Sequence, residues 1–365
     1  MGESHKFQHY VPQFYLKNFS SNNKSVGIYN FNVNKYISNA SIKDNFGKNY
    51  FYGDDKRIEM ALSKLESTWA IIINNIIKSQ EISISEEELS NIILLFFISD
   101  IRTISSSNNM KILFSKMKED IKDKGASVPR EISEILNSSD INRFMIEQSI
   151  ASLLLCDLKL ILIKNKTKTK FITSDSVVAK YNQLAIQSKN TNLYGYSSVG
   201  LQMFMPISSH LCLCLYDDNA YNIPKLDNNV VELRGNDDII KLNRLFIYNS
   251  HDFLIFEDPY DIDSINKQIK KTGERYSYVP EVFESITSKD SMYRIEAKCI
   301  RKEINLKFFK INNIQITNPY NNKILDREQS LYFKNLLDRN DHKLPINIIN
   351  KLNNEIFVKR IKNKK

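Results

Sequence analysis

A run of seven consecutive apolar residues, Ile92–Ile98, constrains the fold of this chain more than any other feature. Ser85 and Glu88 precede the run in the Ser-x-x-Glu spacing of a capping box, which predicts that a helix begins there. A helix that carries this run has no polar face, so other elements must surround it on all sides. The chain therefore needs a sizeable core, and 365 residues are enough to build one.

The elements around this run occur in an order that predicts an α+β fold. Ile58, Leu62, Leu65 and Trp69 recur at helical spacing and predict an amphipathic helix over residues 56–79. We expect a central helical region packed on a mixed or antiparallel sheet, which is formed by strands before and after the helices. Further helices are predicted over 108–124, 130–157 and 237–245, and strands over 26–36, 158–163, 171–173, 199–205, 210–216 and 252–257.

The composition changes after residue 258, which predicts a domain boundary at that point. Residues 1–258 have the pattern of an α+β core domain. Residues 259–365 are highly charged and end in a cationic tail, so we interpret them as a mixed C-terminal extension or a small second unit. Helices are predicted within this extension over 327–338 and 344–356.

The formal net charge of the chain is +9 at pH 7. An excess of this size favours an anionic partner, such as nucleic acid or a nucleotide. A Lys-rich composition produces the same net charge without any partner, so the sequence leaves both interpretations open. Nothing in the sequence indicates the oligomeric state.

The N-terminus and the cysteines bear on the compartment. Residues 1–19 contain no apolar signal core, and the chain has no run of about 18 apolar residues, so we expect no membrane span. The four cysteines, Cys156, Cys212, Cys214 and Cys299, form no disulfide framework, which is typical of a cytoplasmic protein. Cys212 and Cys214 alternate with Leu, so on a strand they share one face as small buried residues.

No strong catalytic motif is present. The sequence has no phosphate-binding Gly loop, no dinucleotide fingerprint and no nucleophile elbow, and its nine Gly largely exclude such loops. His5 and His9 are four residues apart, but Pro12 lies close by and no further spaced ligands accompany them. We therefore assign no metal ligand from spacing.

Three positions remain as candidates for chemistry. His9 can accept and donate a proton near neutral pH. Arg102 follows the apolar helix, where it either compensates the helix dipole or clamps a phosphate group. Asp175 follows Thr173 and Ser174 at the end of a predicted strand. It either caps a turn through backbone bonds or orients a base and binds a cation.

The segment from His9 to Phe19 resembles the opening signature of a family known as domain of unknown function four-two-three-eight. That signature reads His-Tyr-Val-Pro, any, Phe, any, Leu, two any, Phe, and each fixed position is matched. The resemblance extends over about residues 5–258. Four further blocks are similar to family motifs, at residues 58–66, 171–175, 205–209 and 243–248.

The chain departs from the usual family pattern at three places. Gln8 stands where a first His of a His-His pair is common, Ser176 stands where the family often has Asn-Pro, and Ser209 replaces a Pro. The missing His weakens a metal site built on a His pair. The family has no settled activity, so the resemblance implies a set of residues to test, and it names no reaction.

We interpret the basic charge and these candidates as a phosphodiester hydrolase, a nuclease-like effector of the bacterial defence or toxin type. In this hypothesis His9 is the general acid or base, and Arg102 stabilises the developing phosphoryl charge. Asp175 orients His9 or binds a divalent ion such as magnesium. The substrate-binding residues of this hypothesis are Tyr10, Gln13, Thr173 and Ser174.

The alternative is a non-enzymatic sensor or partner-binding module. Here Tyr10, Pro12, Phe14 and Phe19 hold the N-terminus on the core, and the Thr-Ser-Asp turn caps a neighbouring element. The hydrolase hypothesis predicts that His9, Arg102 and Asp175 share one pocket. The module hypothesis predicts that scaffold atoms satisfy the hydrogen bonds of these side chains.

Overall fold

A computed structural model gives the architecture of the chain. It describes residues 6–54, 56–123, 138–187, 195–258, 260, 262–273, 275, 278–286, 291–299, 303–312 and 326–330. The helices are α1 (Gln13–Lys17), α2 (Lys56–Ser79), α3 (Glu86–Ile101), α4 (Ile104–Asp123), α5 (Ser138–Glu147), a 3₁₀ helix (Gln148–Leu155), α6 (Gln183–Gln187), α7 (Asn236–Asn249) and α8 (Ile262–Thr272).

The strands precede and follow the helices α2 to α5, which confirms the α+β class. The strands are β1 (Phe7–His9), β2 (Ser25–Asn30), β3 (Lys35–Ser41), β4 (Gly47–Asn49), β5 (Lys159–Asn165), β6 (Thr173–Ser174), β7 (Ala179–Tyr181), β8 (Gln202–Pro206), β9 (Leu211–Tyr216), β10 (Tyr221–Asn222), β11 (Val230–Leu233), β12 (Phe253–Phe256), β13 (Tyr278–Ile286), β14 (Ser291–Cys299) and β15 (Lys310–Ile311).

Two larger sheets organise the molecule. A four-stranded antiparallel sheet has the order β3-β2-β12-β6, so it joins strands from before the helices to strands from after them. A five-stranded sheet has the order β11-β5-β9-β8-β7 and is mixed, because β11 pairs with β5 in parallel. Three two-stranded pairs, β1-β4, β10-β15 and β13-β14, complete the set among the described residues.

The five-stranded sheet separates two apolar cores. Leu160 and Leu162 of β5 belong to the core that contains α2 and α3, whereas Ile161 and Ile163 belong to the core that contains α7. This alternation follows from the two-residue period of a strand. Cys212 and Cys214 lie fully buried in the second core, on one face of β9 as predicted.

The buried helix α3 forms where the sequence predicts it. Ser85 and Glu88 make both bonds of the capping box, Ser85 N donating to Glu88 Oε2 at 2.8 Å and Glu88 N donating to Ser85 Oγ at 3.2 Å. The apolar run then packs into the first core. Within the described residues, no single helix is long and apolar enough to cross a membrane; Glu86–Ile101 and Ile104–Lys116 meet the length and composition criteria only jointly, across a 64° bend.

The described part of the C-terminal extension contacts both the sheet and the second core. Ile304, Leu306 and Phe309 are buried in that core, and β15 pairs with β10. Of the helix predicted over 327–338, residues 328–330 are helical and Arg327 directly precedes them. Residues 331–338, the predicted helix 344–356 and the cationic tail lie outside the described residues. The domain boundary at residue 258 stays a prediction.

Candidate functional site

The signature segment runs from β1 into α1 along the edge of the first core. β1 pairs with β4 so that His9 lies opposite Gly47, and the amides of Tyr10 and Val11 both donate to the carbonyl of Phe46. Pro12 is the N-cap residue of α1. The fixed φ of Pro and its missing N–H suit a helix start. The buried side chains of this segment include those of Tyr10, Val11, Tyr15, Leu16 and Phe19.

His9 is held as a neutral imidazole. Its Nε2 lies 3.1 Å from the carbonyl oxygen of Lys43, so this nitrogen carries the proton. Its Nδ1 lies 3.3 Å from Nε2 of the Gln13 side chain and accepts a hydrogen bond from it. Burial lowers the pKa of His9, although the charge of Glu66 and the backbone bonds oppose this effect. Gln13, predicted as a substrate-binding residue, thus contacts the predicted acid or base.

Arg102 lies directly after α3 and reaches back to the signature segment. Its Nη2 donates to the carbonyl oxygen of His9 at 2.9 Å, and its Nη1 donates to Glu66 Oε1 at 2.7 Å. The residue is 2% exposed. Removing one partner of such a buried pair typically costs about 3–5 kcal/mol. These contacts make Arg102 a residue that positions β1.

Thr173 and Ser174 form β6 and are fully buried. The hydroxyl groups of Tyr15 and Thr173 lie 2.7 Å apart and share a hydrogen bond, which ties α1 to the four-stranded sheet. Ser174 Oγ donates to the carbonyl of Ser176 at 2.9 Å and accepts from the amide of Ser176 at 3.2 Å. The two hydroxyl groups therefore have protein partners.

Asp175 follows β6 and binds the backbone that leads into β12. Its Oδ1 accepts from the amide of His251 at 2.8 Å, and its Oδ2 accepts from the amides of Asp252 at 2.6 Å and Phe253 at 3.1 Å. The residue is 2% exposed, and this burial raises the pKa of Asp175 to about 6 although the amide bonds favour the carboxylate. A carboxylate has about four lone-pair positions, so one position on Oδ1 remains.

Asp175, His251 and Asp252 form a cluster of metal-ligand side chains, which we call the Asp-His-Asp cluster. Each residue offers one ligand atom, and these atoms all lie within 4.8 Å of one another. His251 Nδ1 lies 2.9 Å from Asp252 Oδ1, yet the pair lacks the angular geometry of a hydrogen bond. Asn32 donates to Asp252 Oδ1 at 3.0 Å and Asn108 contacts His251 Nε2 at 3.3 Å. His251 and Asp252 are partly exposed, whereas Asp175 and the Nδ1 atom of His251 are buried.

Tyr10 brings the signature segment to this cluster. The residue is 3% exposed, and its ring packs against Phe51 with centroids 5.5 Å apart. Burial, reinforced by the charges of Asp175 and Asp252, raises the pKa of Tyr10, so its phenol is neutral. Because the charges of Asp175 and Asp252 act on this phenol, it lies within electrostatic range of the cluster.

The predicted site residues thus fall into two neighbouring networks. His9 bonds to both Gln13 and Arg102, whereas the carboxylate of Asp175 bonds to the amide of His251 and its charge raises the pKa of Tyr10. The catalytic roles assigned to His9, Arg102 and Asp175 stay predictions.

Sequence reasoning missed His251 and Asp252. The only signal was an adjacent His-Asp pair at the start of the strand predicted over 252–257, and its meaning depends on the pairing of β12 with β6.

A separate open groove of about 1110 Å³ lies beside β11. Neither the Asp-His-Asp cluster nor the His9 network lines it. Its walls come from residues 81–83, from the segment around β11 and from residues 307, 308 and 310. Any ligand of this groove would lie apart from the signature residues.

The fold and the site together describe an α+β protein that carries an Asp-His-Asp cluster at the entry to β12. The chain belongs to the family described as protein of unknown function (DUF4238), whose model matches residues 8–259. The matched range contains Tyr10 and all three residues of the cluster. No curated protein and no solved structure matches the chain.

Proposed function

We propose that this chain is a phosphodiester hydrolase that uses a divalent cation held by the Asp-His-Asp cluster. The observation that carries this proposal is the approach of the Asp175, His251 and Asp252 ligand atoms to within 4.8 Å of one another. Two carboxylates and an imidazole suit hard or borderline divalent ions. The net charge of +9 favours nucleic acid as the source of the phosphodiester.

One ligand separation is compatible with a shared divalent ion. His251 Nδ1 and Asp252 Oδ1 are 2.9 Å apart, and neighbouring ligands about 2.1 Å from an octahedral ion are about 3.0 Å apart. Manganese accepts both carboxylate and imidazole ligands, so it is the ion used in the tests.

The residues around the cluster supply the remaining chemistry. A divalent ion held by Asp175, His251 and Asp252 would polarise a phosphoryl oxygen and lower the pKa of a water. Hydrolysis would join the water oxygen to phosphorus, break the ester P–O bond and pass the proton of the water to the leaving oxygen through solvent. In this proposal the Tyr10 hydroxyl donates a hydrogen bond to a phosphoryl oxygen. Arg102 acts indirectly in this scheme, since it fixes the carbonyl of His9, the residue before Tyr10.

The proposal is tested by incubating the full chain with RNA, single-stranded DNA and duplex DNA, with magnesium, manganese or EDTA. We expect cation-dependent cleavage of at least one substrate, reduced about 100-fold in Asp252→Asn, which removes a ligand charge at constant size. His210→Gln is the matched control, because His210 is exposed and lies outside the cluster. Absence of cleavage by the wild type, or equal cleavage by Asp252→Asn, contradicts the proposal.

The binding module remains as a second candidate, and one observation favours it. The three amide bonds to Asp175 would hold the entry to β12 in place whether or not a cation binds. The module hypothesis expects no cleavage under any condition, and a loss of stability in Asp175→Asn, because an amide nitrogen would then face backbone donors. The same incubations separate the two functions, whereas the stability loss of Asp175→Asn is expected under both.

A further inference from the structure

Asn108 of α4 contacts the Asp-His-Asp cluster without belonging to it. Its side-chain nitrogen Nδ2 lies 3.3 Å from Nε2 of His251. Asn108 is exposed, and none of the three ligand atoms of the cluster comes from it. A histidine that binds a metal usually bonds through its other ring nitrogen to a neighbouring group, which fixes the position of the ring proton. Asn108 has the place of such a group beside His251.

The two ring nitrogens of His251 have different surroundings. Nε2 contacts Asn108, whereas Nδ1 lies 2.9 Å from Oδ1 of Asp252. Nδ1 is therefore the nitrogen that faces the carboxylates of the cluster. It is buried and, among the residues that the structure describes, it has no hydrogen-bond partner. Buried polar atoms are normally paired, so Nδ1 is the atom of this ring that gains most from a ligand.

The contact with Asn108 determines which ring nitrogen carries the proton. A neutral imidazole has one N–H donor and one bare acceptor, and the Nδ2 group of an asparagine donates only. The structure has Nδ2 of Asn108 toward the ring, so Nε2 accepts and the proton of a neutral His251 lies on Nδ1. A metal ligand must be deprotonated at the atom that binds. This orientation of the amide therefore excludes a cation from Nδ1.

A half-turn of the Asn108 amide reverses this assignment. The oxygen and the nitrogen of the amide have nearly the same shape, so Oδ1 can take the place of Nδ2. Because Oδ1 accepts only, Nε2 then carries the proton and the lone pair of Nδ1 is free. One proton leaves Nδ1 for solvent and one reaches Nε2 from solvent, so the charge of the ring does not change. Asn108 is exposed, and exposed side chains rotate readily.

We infer that Asn108 regulates cation binding by the cluster through the tautomer of His251. With its amide nitrogen toward the ring, Asn108 holds the tautomer that rejects a cation. With its amide oxygen toward the ring, it holds the tautomer that binds one. The inference rests on the proposed function, because it requires a cation at the cluster. Asn108 contacts neither the cation nor the substrate in this scheme, so it is a positioning residue.

The variant Asn108→Asp tests this role. Aspartate has nearly the shape of asparagine, but its carboxylate accepts only, so it holds the proton on Nε2 and leaves Nδ1 bare. We expect the full chain to bind manganese about tenfold more tightly in Asn108→Asp than in wild type, measured by calorimetry at pH 8. Asn109→Asp is the matched control, because it adds the same charge one position further along α4, and its affinity should stay near that of wild type.

A second measurement observes the tautomer itself, without any cation. The ¹⁵N chemical shifts of selectively labelled histidine distinguish a protonated from a bare ring nitrogen, and His251→Gln assigns the signals of His251. After removal of bound cations, we expect the proton on Nδ1 in wild type and in Asn109→Asp, and on Nε2 in Asn108→Asp. A purely structural role of Asn108 would leave the tautomer unchanged.

The outcomes separate this inference from the proposed function. If wild type binds no manganese, both are overturned. If wild type binds manganese and Asn108→Asp binds it equally well, or no better than Asn109→Asp does, the inference alone is overturned. The same holds if wild type and Asn108→Asp show the same tautomer of His251.

Discussion

Asp175 combines a structural contact with a free ligand position. Its carboxylate accepts three backbone amides and fixes the entry to β12, yet one lone pair on Oδ1 stays open beside His251 and Asp252. The cap interpretation of the Thr-Ser-Asp turn therefore agrees with the observed bonds, and in the proposed site the remaining lone pair of the same carboxylate holds a cation.

The lowered pKa of His9 predicts that the free energy of unfolding depends on pH. Burial lowers its pKa in the folded state below the ordinary value of 6.5, so the unfolded chain binds the proton more readily. The contribution of His9 to stability is therefore complete above about pH 6.5 and declines as the pH falls toward the lowered value. Urea unfolding between pH 5 and 8 should show a steeper loss on acidification for wild type than for His9→Gln.

The comparison isolates His9, because Asp175 also titrates near this range and is present in both proteins. A constant offset between the two stability curves reflects lost contacts with Lys43 and Gln13. Parallel curves across the whole pH range would contradict the neutral, buried imidazole.

At the scale of elements, locally encoded features could be predicted and long-range pairings could not. The bounds of α2 and the capping box of α3 agree with the sequence prediction, because periodicity and caps are properties of neighbouring residues. The strand predicted over 26–36 is instead the end of β2 and the start of β3. The parallel pairing of β11 with β5 joins segments about 70 residues apart, and no local pattern encodes it.

In the candidate site too, single residues could be predicted from the sequence and their long-range pairing could not. The sequence identified Tyr10 and Asp175 individually, and the family resemblance placed both in signature blocks. Their proximity depends on β6 pairing with β12 and on β1 pairing with β4, which are long-range events. His251 and Asp252 acquire a role only through that pairing.

The hydrogen bonds of Arg327 attach residues 326–330 to the core, and we predict that they contribute to the stability of the chain. Its guanidinium donates to both oxygens of Asp157, at 2.8 and 3.0 Å, and to the carbonyls of Leu154, Tyr196 and Ser198. A Lys has neither the planar fork nor enough donors to replace these bonds. We expect Arg327→Lys to lower the free energy of unfolding by about 3 kcal/mol in chemical denaturation.

Arg143→Lys is the matched control for this measurement. Arg143 pairs with Asp140 at 3.6 Å on the surface, so its replacement should change stability by less than about 0.5 kcal/mol. If Arg327→Lys is as mild as Arg143→Lys, residues 326–330 do not stabilise the core.

At the scale of the whole molecule, the five-stranded mixed sheet separates two apolar cores, and the chain carries two separate surface features. The signature residues and the Asp-His-Asp cluster lie at the edge of the first core, and the groove beside β11 lies elsewhere. A ligand of the groove would therefore not compete with a cation at the cluster.

A direct measurement of cation binding tests the central claim, which is that the Asp-His-Asp cluster holds a divalent cation. Manganese titration of the full chain, followed by electron paramagnetic resonance and calorimetry, measures stoichiometry and affinity without requiring a substrate. We predict one manganese ion per chain, competition by magnesium, and binding at least about tenfold weaker in Asp252→Asn and in His251→Gln, with His210→Gln unchanged. A wild-type chain that binds no manganese, or cluster variants that bind it with wild-type affinity, would contradict the account.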